Sequence, residues 1–190
     1  MFPKPSERIA ITAPGVHLTY TGLIRRINAA AAVLAVAPGD RVAIVSENRP
    51  QWIYAFHAIW QRQAVVVPVD PGMPAADMAV IFADCRPAAV CASQSTRETV
   101  ASALAQAGLT SNTVLLEDFD SLADGPDTLP LSEPADPRAL AALPYTSGTT
   151  GQPKGVMLSY ENLSTSADAV RAQGYYRADD NVMALLPFFH

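Results

Sequence analysis

The sequence predicts an α/β fold: a mainly parallel sheet with helices on both faces. Three observations carry this. Short runs of β-branched and apolar residues recur along the chain, amphipathic segments of helical length separate them, and Gly or Pro stands at many of the changes. A strand that returns through a helix lies parallel to its predecessor, because the crossover must pass back over the sheet face.

Each element follows in order. Leu23, Ile24, Ile27, Ala30, Ala31 and Leu34 recur at helical spacing, which predicts a helix over 23–34 that Pro38-Gly39 stops. Arg41 to Ser46 is a short apolar run suited to a buried strand. Asn48 is the expected cap of the next helix, with Pro50 in its first turn. Trp52, Ile53, Phe56, Ile59 and Trp60 line one face of that helix, a stripe best read as core. Ala64 to Val69 is the second strand. Pro74 opens a helix with Met78, Ile81, Phe82 and Cys85 inward, and Ala88 to Ala92 is the third strand. Ser95-Thr96-Arg97-Glu98 has the form of a capping box, starting a helix that Gly108 ends, and Thr113 to Leu116 is the next strand.

Composition removes several function classes. The 190 residues suffice for one domain or slightly more, and 49% are hydrophobic against 16% charged, with mean hydropathy +0.13, which excludes a globally disordered chain. The longest unbroken apolar stretch, Ala29 to Ala37, falls well short of the ~20 residues a membrane span requires. Met1-Phe2-Pro3-Lys4-Pro5 leads into Ser6, Glu7 and Arg8 without an apolar region, so no secretory signal is expected and the cytoplasm is the expected compartment. A net charge of −5 and a pI near 5.0 argue against broad capture of nucleic acid or an anionic membrane. Cys85 and Cys91 form no C-x-x-C pair, and His17, His57 and His190 are scattered, so neither a zinc site nor a disulfide framework is expected. Both cysteines read as small hydrophobes, His57 as a partly buried structural residue and His17 as a surface one. No fixed-period repeat accompanies the alternation.

Residues 117–137 break the rhythm. They hold seven acidic residues, no Lys or Arg, and Pro126, Pro130, Pro134 and Pro137. The expectation is a solvated acidic loop within one domain; a lid or partner tail is the alternative. Its charge of −7 leaves +2 for the remainder, so the acidic balance belongs to this segment.

Chemistry concentrates after it. A small apolar lead-in, Ala139 to Tyr145, is followed by Thr146-Ser147-Gly148-Thr149-Thr150-Gly151-Gln152-Pro153-Lys154-Gly155 and then by Val156-Met157-Leu158, which predicts strand, loop, strand. Glycines at 148, 151 and 155 let the main chain approach a ligand, so that successive N–H groups converge on one anion. Hydroxyls from Thr146, Ser147, Thr149 and Thr150 and the cation of Lys154, one of two lysines among 13 basic residues, complete a set suited to polyphosphate. Pro153 before the lysine and Gly155 after it exclude a Walker A sequence. The G-x-G-x-x-G of dinucleotide folds and the G-x-S-x-G of hydrolases are absent from this loop.

Tyr145 to Gly155, YTSGTTGQPKG, resembles the phosphate-loop signature of the acyl-adenylate-forming enzymes: acyl-CoA synthetases, aryl-CoA ligases, luciferases and peptide-synthetase adenylation domains. The resemblance continues through Val156-Met157-Leu158-Ser159 and Glu161-Asn162-Leu163 to Leu186-Pro187-Phe188-Phe189-His190. Upstream it includes Gly39 to Ile44 and Ala64 to Val69. It implies activation of a carboxylate by ATP to acyl-AMP and pyrophosphate, then transfer to a thiol, commonly CoA. Thr146, Ser147, Gly148, Thr149, Thr150, Gly151 and Lys154 would contact phosphates, and His190 would lie near the carboxylate. Preorganised donors suit this step because charge accumulates on the departing pyrophosphate.

The resemblance also implies an incomplete N-terminal AMP-binding domain over 1–190. The adenine and ribose motifs, the glutamate associated with Mg2+ and the C-terminal lysine domain would lie beyond His190. The 190-residue chain alone is therefore expected to be catalytically incomplete and, with uncovered apolar faces, to self-associate. Thr149-Thr150 and Ala142-Leu143-Pro144-Tyr145 lean toward acyl- or aryl-CoA ligases, with fatty, aromatic and short-chain acids all open. An adenylation domain loading a carrier protein, and a non-catalytic nucleotide-binding or interaction module, are the alternatives.

Overall fold

Thr19 begins the first helix by capping it: its hydroxyl oxygen accepts from the Gly22 N–H at 3.1 Å. In this computed structural model, which describes residues 3–126, 134, 136–147, 153–177 and 179–190, a hairpin precedes that cap. Its strands β1 (Ile9–Ala13) and β2 (Val16–Thr19) pair antiparallel. The helix α1 (Tyr20–Val33) starts three residues before Leu23, because the apolar periodicity marks the buried face and says nothing about the cap.

The predicted alternation follows as β3 (Arg41–Val45), α2 (Pro50–Gln61), β4 (Val65–Val69), α3 (Ala75–Cys85), β5 (Ala89–Ala92), α4 (Arg97–Gln106) and β6 (Asn112–Leu115). A 3-10 turn (Leu116–Ser121) closes this part. The later strands are β7 (Leu140–Ala142), β8 (Tyr145–Ser147), β9 (Pro153–Gly155) and β10 (Leu158–Ser159), and α5 (Tyr160–Ala172) comes last.

Six strands form one sheet in the order β10-β7-β4-β3-β5-β6, parallel except where β10 meets β7. Strand β3 lies at its centre and alternates. Val42 and Ile44 enter a core shared with α1 and α2, while Ala43 and Val45 enter a second core with α3 and α4. Helices therefore cover both faces, as the composition of the strands requires: a run apolar on both sides must be buried on both sides. The Trp60 indole N–H donates to the Ala141 carbonyl at 3.0 Å, tying α2 to β7.

Several local expectations are corrected. Arg49, not Asn48, occupies the cap position of α2 and makes no side-chain cap bond. The capping box from Ser95 does not form, since Thr96, not Ser95, occupies the cap position of α4 and makes no side-chain cap bond. Its hydroxyl donates to the Val45 carbonyl at 2.7 Å, so tertiary contact outcompetes the local motif. Val156 to Leu158 is not one strand, since the pairing residues are Pro153–Gly155 and Leu158–Ser159 with Val156 and Met157 exposed between them. A reciprocal cap between Ser159 and Asn162 opens α5, which buries only Tyr160 and so lacks the apolar stripe that would announce it.

The acidic segment is fastened at its beginning. Phe119 is buried in the core, and Asp120 accepts from Gln51 Nε2 at 2.7 and 2.8 Å. Asn28 Nδ2 donates to the Pro126 carbonyl at 2.6 Å, and a Cβ on Gly125 would stand 2.6 Å from that of Asn28. Only glycine fits so close to α1. Residues 127–133 and 135 of this segment lie outside the described ones.

Cys85 and Cys91 are buried, and burial pushes both thiols up to about 12, away from nucleophilic chemistry. No helix among the described residues is long and apolar enough to cross a membrane. His57 sits edge-on to Phe56 and Trp60, at 5.6 and 5.9 Å, and burial pushes it down from 6.5 to about 4. The unfolded chain then binds this proton where the folded one does not, so stability is lost as pH falls from about 6.5 toward 4. Thermal unfolding followed from pH 7.5 to 5 should show a falling midpoint, and part of that fall should be absent in His57→Gln.

Candidate phosphate-binding site

The glycine- and hydroxyl-rich segment forms a hairpin. β8 and β9 pair antiparallel with Tyr145 opposite Gly155, Thr146 opposite Lys154 and Ser147 opposite Pro153. Residues directly opposite in such a ladder have Cβ atoms ~4.5–5.5 Å apart on one face. Thr146 and Lys154 therefore share a face, and both are exposed. Gly148, Thr149, Thr150 and Gly151, with Gln152, form the connection and lie outside the described residues, as does the side chain of Ser147.

The opposite face of the hairpin is its root. Tyr145 turns toward α3, where its hydroxyl donates to the Asp84 carboxylate. Burial, and then this bond to a carboxylate, raise the Tyr145 hydroxyl well above its usual range, so it stays a neutral donor. Gly155 packs beneath: a Cβ there would meet Leu143 Cδ1 at 3.0 Å and the Tyr145 ring at 3.2 Å. Leu143 and Tyr145 in turn rest against the α3–α4 core. Alternation thus divides the labour, one set of side chains fixing the hairpin and the other facing outward.

The hairpin leaves the sheet at the carboxyl end of β7. That edge also carries a polar network at the carboxyl ends of β3, β5 and β6. Glu47 accepts from Ser93 Oγ at 2.9 Å and Ser95 Oγ at 3.3 Å. Arg49 bridges Glu47 and Glu117, and the Glu117 oxygens each accept from the Gln94 N–H at 3.1 Å. Partial burial works to raise both carboxyls. Backbone and hydroxyl donors and the Arg49 charge outweigh it and hold them below the ordinary carboxylate range. Because β4 runs to one side of β3 and β5 to the other, this edge is a topological switch point, where open α/β sheets bind ligands.

His190 is exposed at the end of a segment held on α2. Its ring lies 4.7 Å from that of Phe189, and Phe188 packs on the α1–α2 core with its ring 5.3 Å from Trp52. Thr146 and Lys154 are thus brought together, whereas His190 reaches the same edge from the other face of the sheet. Asp84, Glu47, Asn48 and Arg49 have no local sequence signal for these contacts. Tyr145 and Asp84 are 61 residues apart, and Asn48 meets a segment 136 to 140 residues away.

The sequence profile of the AMP-binding enzyme family matches residues 3–190. The chain belongs to the AMP-binding enzyme family. Within that family it is 36% identical over 186 residues to a feruloyl-CoA synthase from an Amycolatopsis species, covering 95% of this chain and 36% of the relative. It is 29% identical over 171 residues to a polyketide synthase-nonribosomal peptide synthetase of Aspergillus clavatus, covering 86% of this chain and 4% of that one. The crystal structure of apo MatB from Rhodopseudomonas palustris superposes with a TM-score of 0.84 at 27% identity, over all of this chain and 39% of MatB. ATP-bound MatB gives 0.80 at 28%, over 94% of this chain and 37% of MatB. The chain thus spans well under half the length of these relatives and matches the N-terminal part of an adenylate-forming enzyme.

The close packing beneath the hairpin is testable. Gly155→Val should lower stability by about 1–3 kcal/mol through overpacking, read from the denaturant midpoint, with Gly155→Ala losing less.

Proposed function

We propose that the protein to which this chain belongs activates a carboxylic acid with ATP, forming acyl-AMP and pyrophosphate, and passes the acyl group to CoA. The observation that carries this is the hairpin register, which sets Thr146 and Lys154 side by side on the outward face of a strand pair anchored through Tyr145. A hydroxyl and a cation on one rigid face, joined by a glycine-rich connection, suit the β- and γ-phosphates of a nucleotide. ATP-bound MatB supports the same ligand class.

In this reading Ser147, Gly148, Thr149, Thr150 and Gly151 supply further donors from the connection, and His190 lies near the carboxylate. Pyrophosphate leaves as the carboxylate oxygen attacks the α-phosphorus. Donors fixed before the reaction stabilise the charge without reorganisation. Among the described residues no group of three His, Cys, Asp or Glu is placed to hold a metal ion. The residues named above are assigned to phosphate.

Similarity to a feruloyl-CoA synthase favours CoA as acceptor and a carboxylic acid as substrate; similarity to a polyketide synthase-nonribosomal peptide synthetase supports a second reading, loading of a carrier protein. Carboxylate-dependent ATP–pyrophosphate exchange by the whole protein tests the first step, and acyl transfer to CoA against carrier protein separates the acceptors. Gly148→Val and Gly151→Val should each lower exchange by about a hundredfold and Lys154→Ala by about tenfold or more, as loss of transition-state donors does. Unchanged exchange in all three would refute the site, and nucleotide binding without exchange would favour a binding module.

The same reading leaves apolar surface bare in the separate 190-residue chain. Met157, Val182, Met183, Leu185 and Leu186 are 67–80% exposed. Self-association of that chain is expected, and light scattering that finds a dilute monomer without hydrophobic-dye binding would contradict it.

A further inference from the structure

Asn48 uses both ends of its carboxamide on one distant segment. Oδ1 accepts from the Phe188 N–H at 2.8 Å, while Nδ2 donates to the Leu186 carbonyl at 2.8 Å and reaches the Ala184 carbonyl at 3.4 Å. The contacts have opposite polarity, so a side chain must offer an acceptor and a donor together, which an amide does. A carboxylate would keep the acceptor for Phe188 and set negative charge against two carbonyl oxygens.

The same segment has one large side chain docked. The Phe188 ring packs against Trp52, which itself stacks on Phe56 at 5.4 Å. Val182, Met183, Leu185 and Leu186 stay exposed, so attachment is concentrated at Asn48 and Phe188. His190 follows Phe188 by two residues, and its own N–H bonds back to the Pro187 carbonyl at 3.3 Å. The path from Asn48 to the imidazole is therefore short.

We propose that Asn48 is a positioning residue for the carboxylate subsite: by clamping the backbone of 184–188 to the end of β3, it sets where His190 stands. This rests on the adenylation reading above. Asn48 would act on substrate only through the segment it holds, at the same sheet edge from which the phosphate hairpin rises. One strand, β4, separates β3 from β7 there. Neighbouring strands are ~4.8 Å apart, so the two strand ends lie within the reach of a nucleotide with an acid beside its α-phosphate.

The test uses the whole protein with Asn48→Ala and Asn48→Asp. Hydrogen exchange at the Phe188 amide should accelerate about tenfold in both variants, in Asn48→Ala through loss of the acceptor and in Asn48→Asp because repulsion between the carboxylate and the Leu186 and Ala184 carbonyls drives the segment away despite the retained acceptor. In pyrophosphate exchange, KM for the carboxylate should rise on the order of tenfold, as misplacement of a positioning group does, while KM for ATP stays within about twofold. Combined with His190→Ala, either substitution should add little to the loss from His190→Ala alone, because both act through one group. Should Asn48→Ala fail to fold, Asn48→Asp gives the same readings. Unchanged Phe188 exchange, equal rises in both KM values, or full additivity with His190→Ala would each overturn the proposal. A wild-type protein without pyrophosphate exchange would refute the adenylation reading and the subsite role with it, while the Phe188 amide would still report whether the clamp exists.

Discussion

Strand β3 is paired on both sides and buried on both faces, and the rest of the described chain takes its position from that constraint. Its hydrogen bonds go to β4 on one side and β5 on the other, and its side chains alternate between two cores. A one-residue slip would exchange Val42 and Ile44 for Ala43 and Val45 and misfit both cores at once. The register of the whole sheet is thereby fixed, and with it the height at which Glu47, Asn48 and Arg49 emerge. The polar edge is placed by apolar packing a few residues away.

What happens at that edge is positioning more than stabilisation. Glu47, Arg49 and Glu117 are all partly exposed, and pairs of that kind contribute about 0–1 kcal/mol each. Their directional bonds nevertheless hold the loops after β3, β5 and β6 in one arrangement, since Glu47 alone gathers Ser93, Ser95 and Arg49. The Tyr145–Asp84 bond does the same for the hairpin, with Gly155 allowing the ring and Leu143 to close beneath it. The hairpin and the segment ending at His190 are thereby brought to one rim from opposite faces, one resting on α3 and the other on α2. Each is carried by a separately packed core.

Local pattern and tertiary contact compete openly in several places. Asn48 and Ser95 have the chemistry of helix caps and stand where the sequence predicts them, yet both spend their polar atoms elsewhere: Asn48 on residues 184–188 and Ser95 on the Glu47 carboxylate. Capping contributes about 1 kcal/mol, no more than a well-formed tertiary hydrogen bond, so local spacing cannot decide between them. The acidic segment shows the opposite confusion. Its composition reads as solvated, but Phe119 is buried and Gly125 lies flat on α1, contacts carried by single residues that an average over charge and proline hides.

The sequence by itself determined the α/β alternation, the four parallel strands β3 to β6 and the helices between them. Burial on two faces selects short runs of β-branched and small apolar residues bounded by turn residues, and helical periodicity is local. It also marked the glycine- and hydroxyl-rich segment, because that chemistry is contiguous in eleven residues, but it placed the flanking strands outside the segment, whereas Tyr145–Ser147 and Pro153–Gly155 pair within it. The tertiary structure alone decided strand order, the pairing of Thr146 with Lys154, the anchoring of Tyr145 by Asp84 and of residues 184–188 by Asn48. Those contacts join residues up to 140 positions apart, and a hydrogen bond across such a distance leaves no mark on the spacing of either partner.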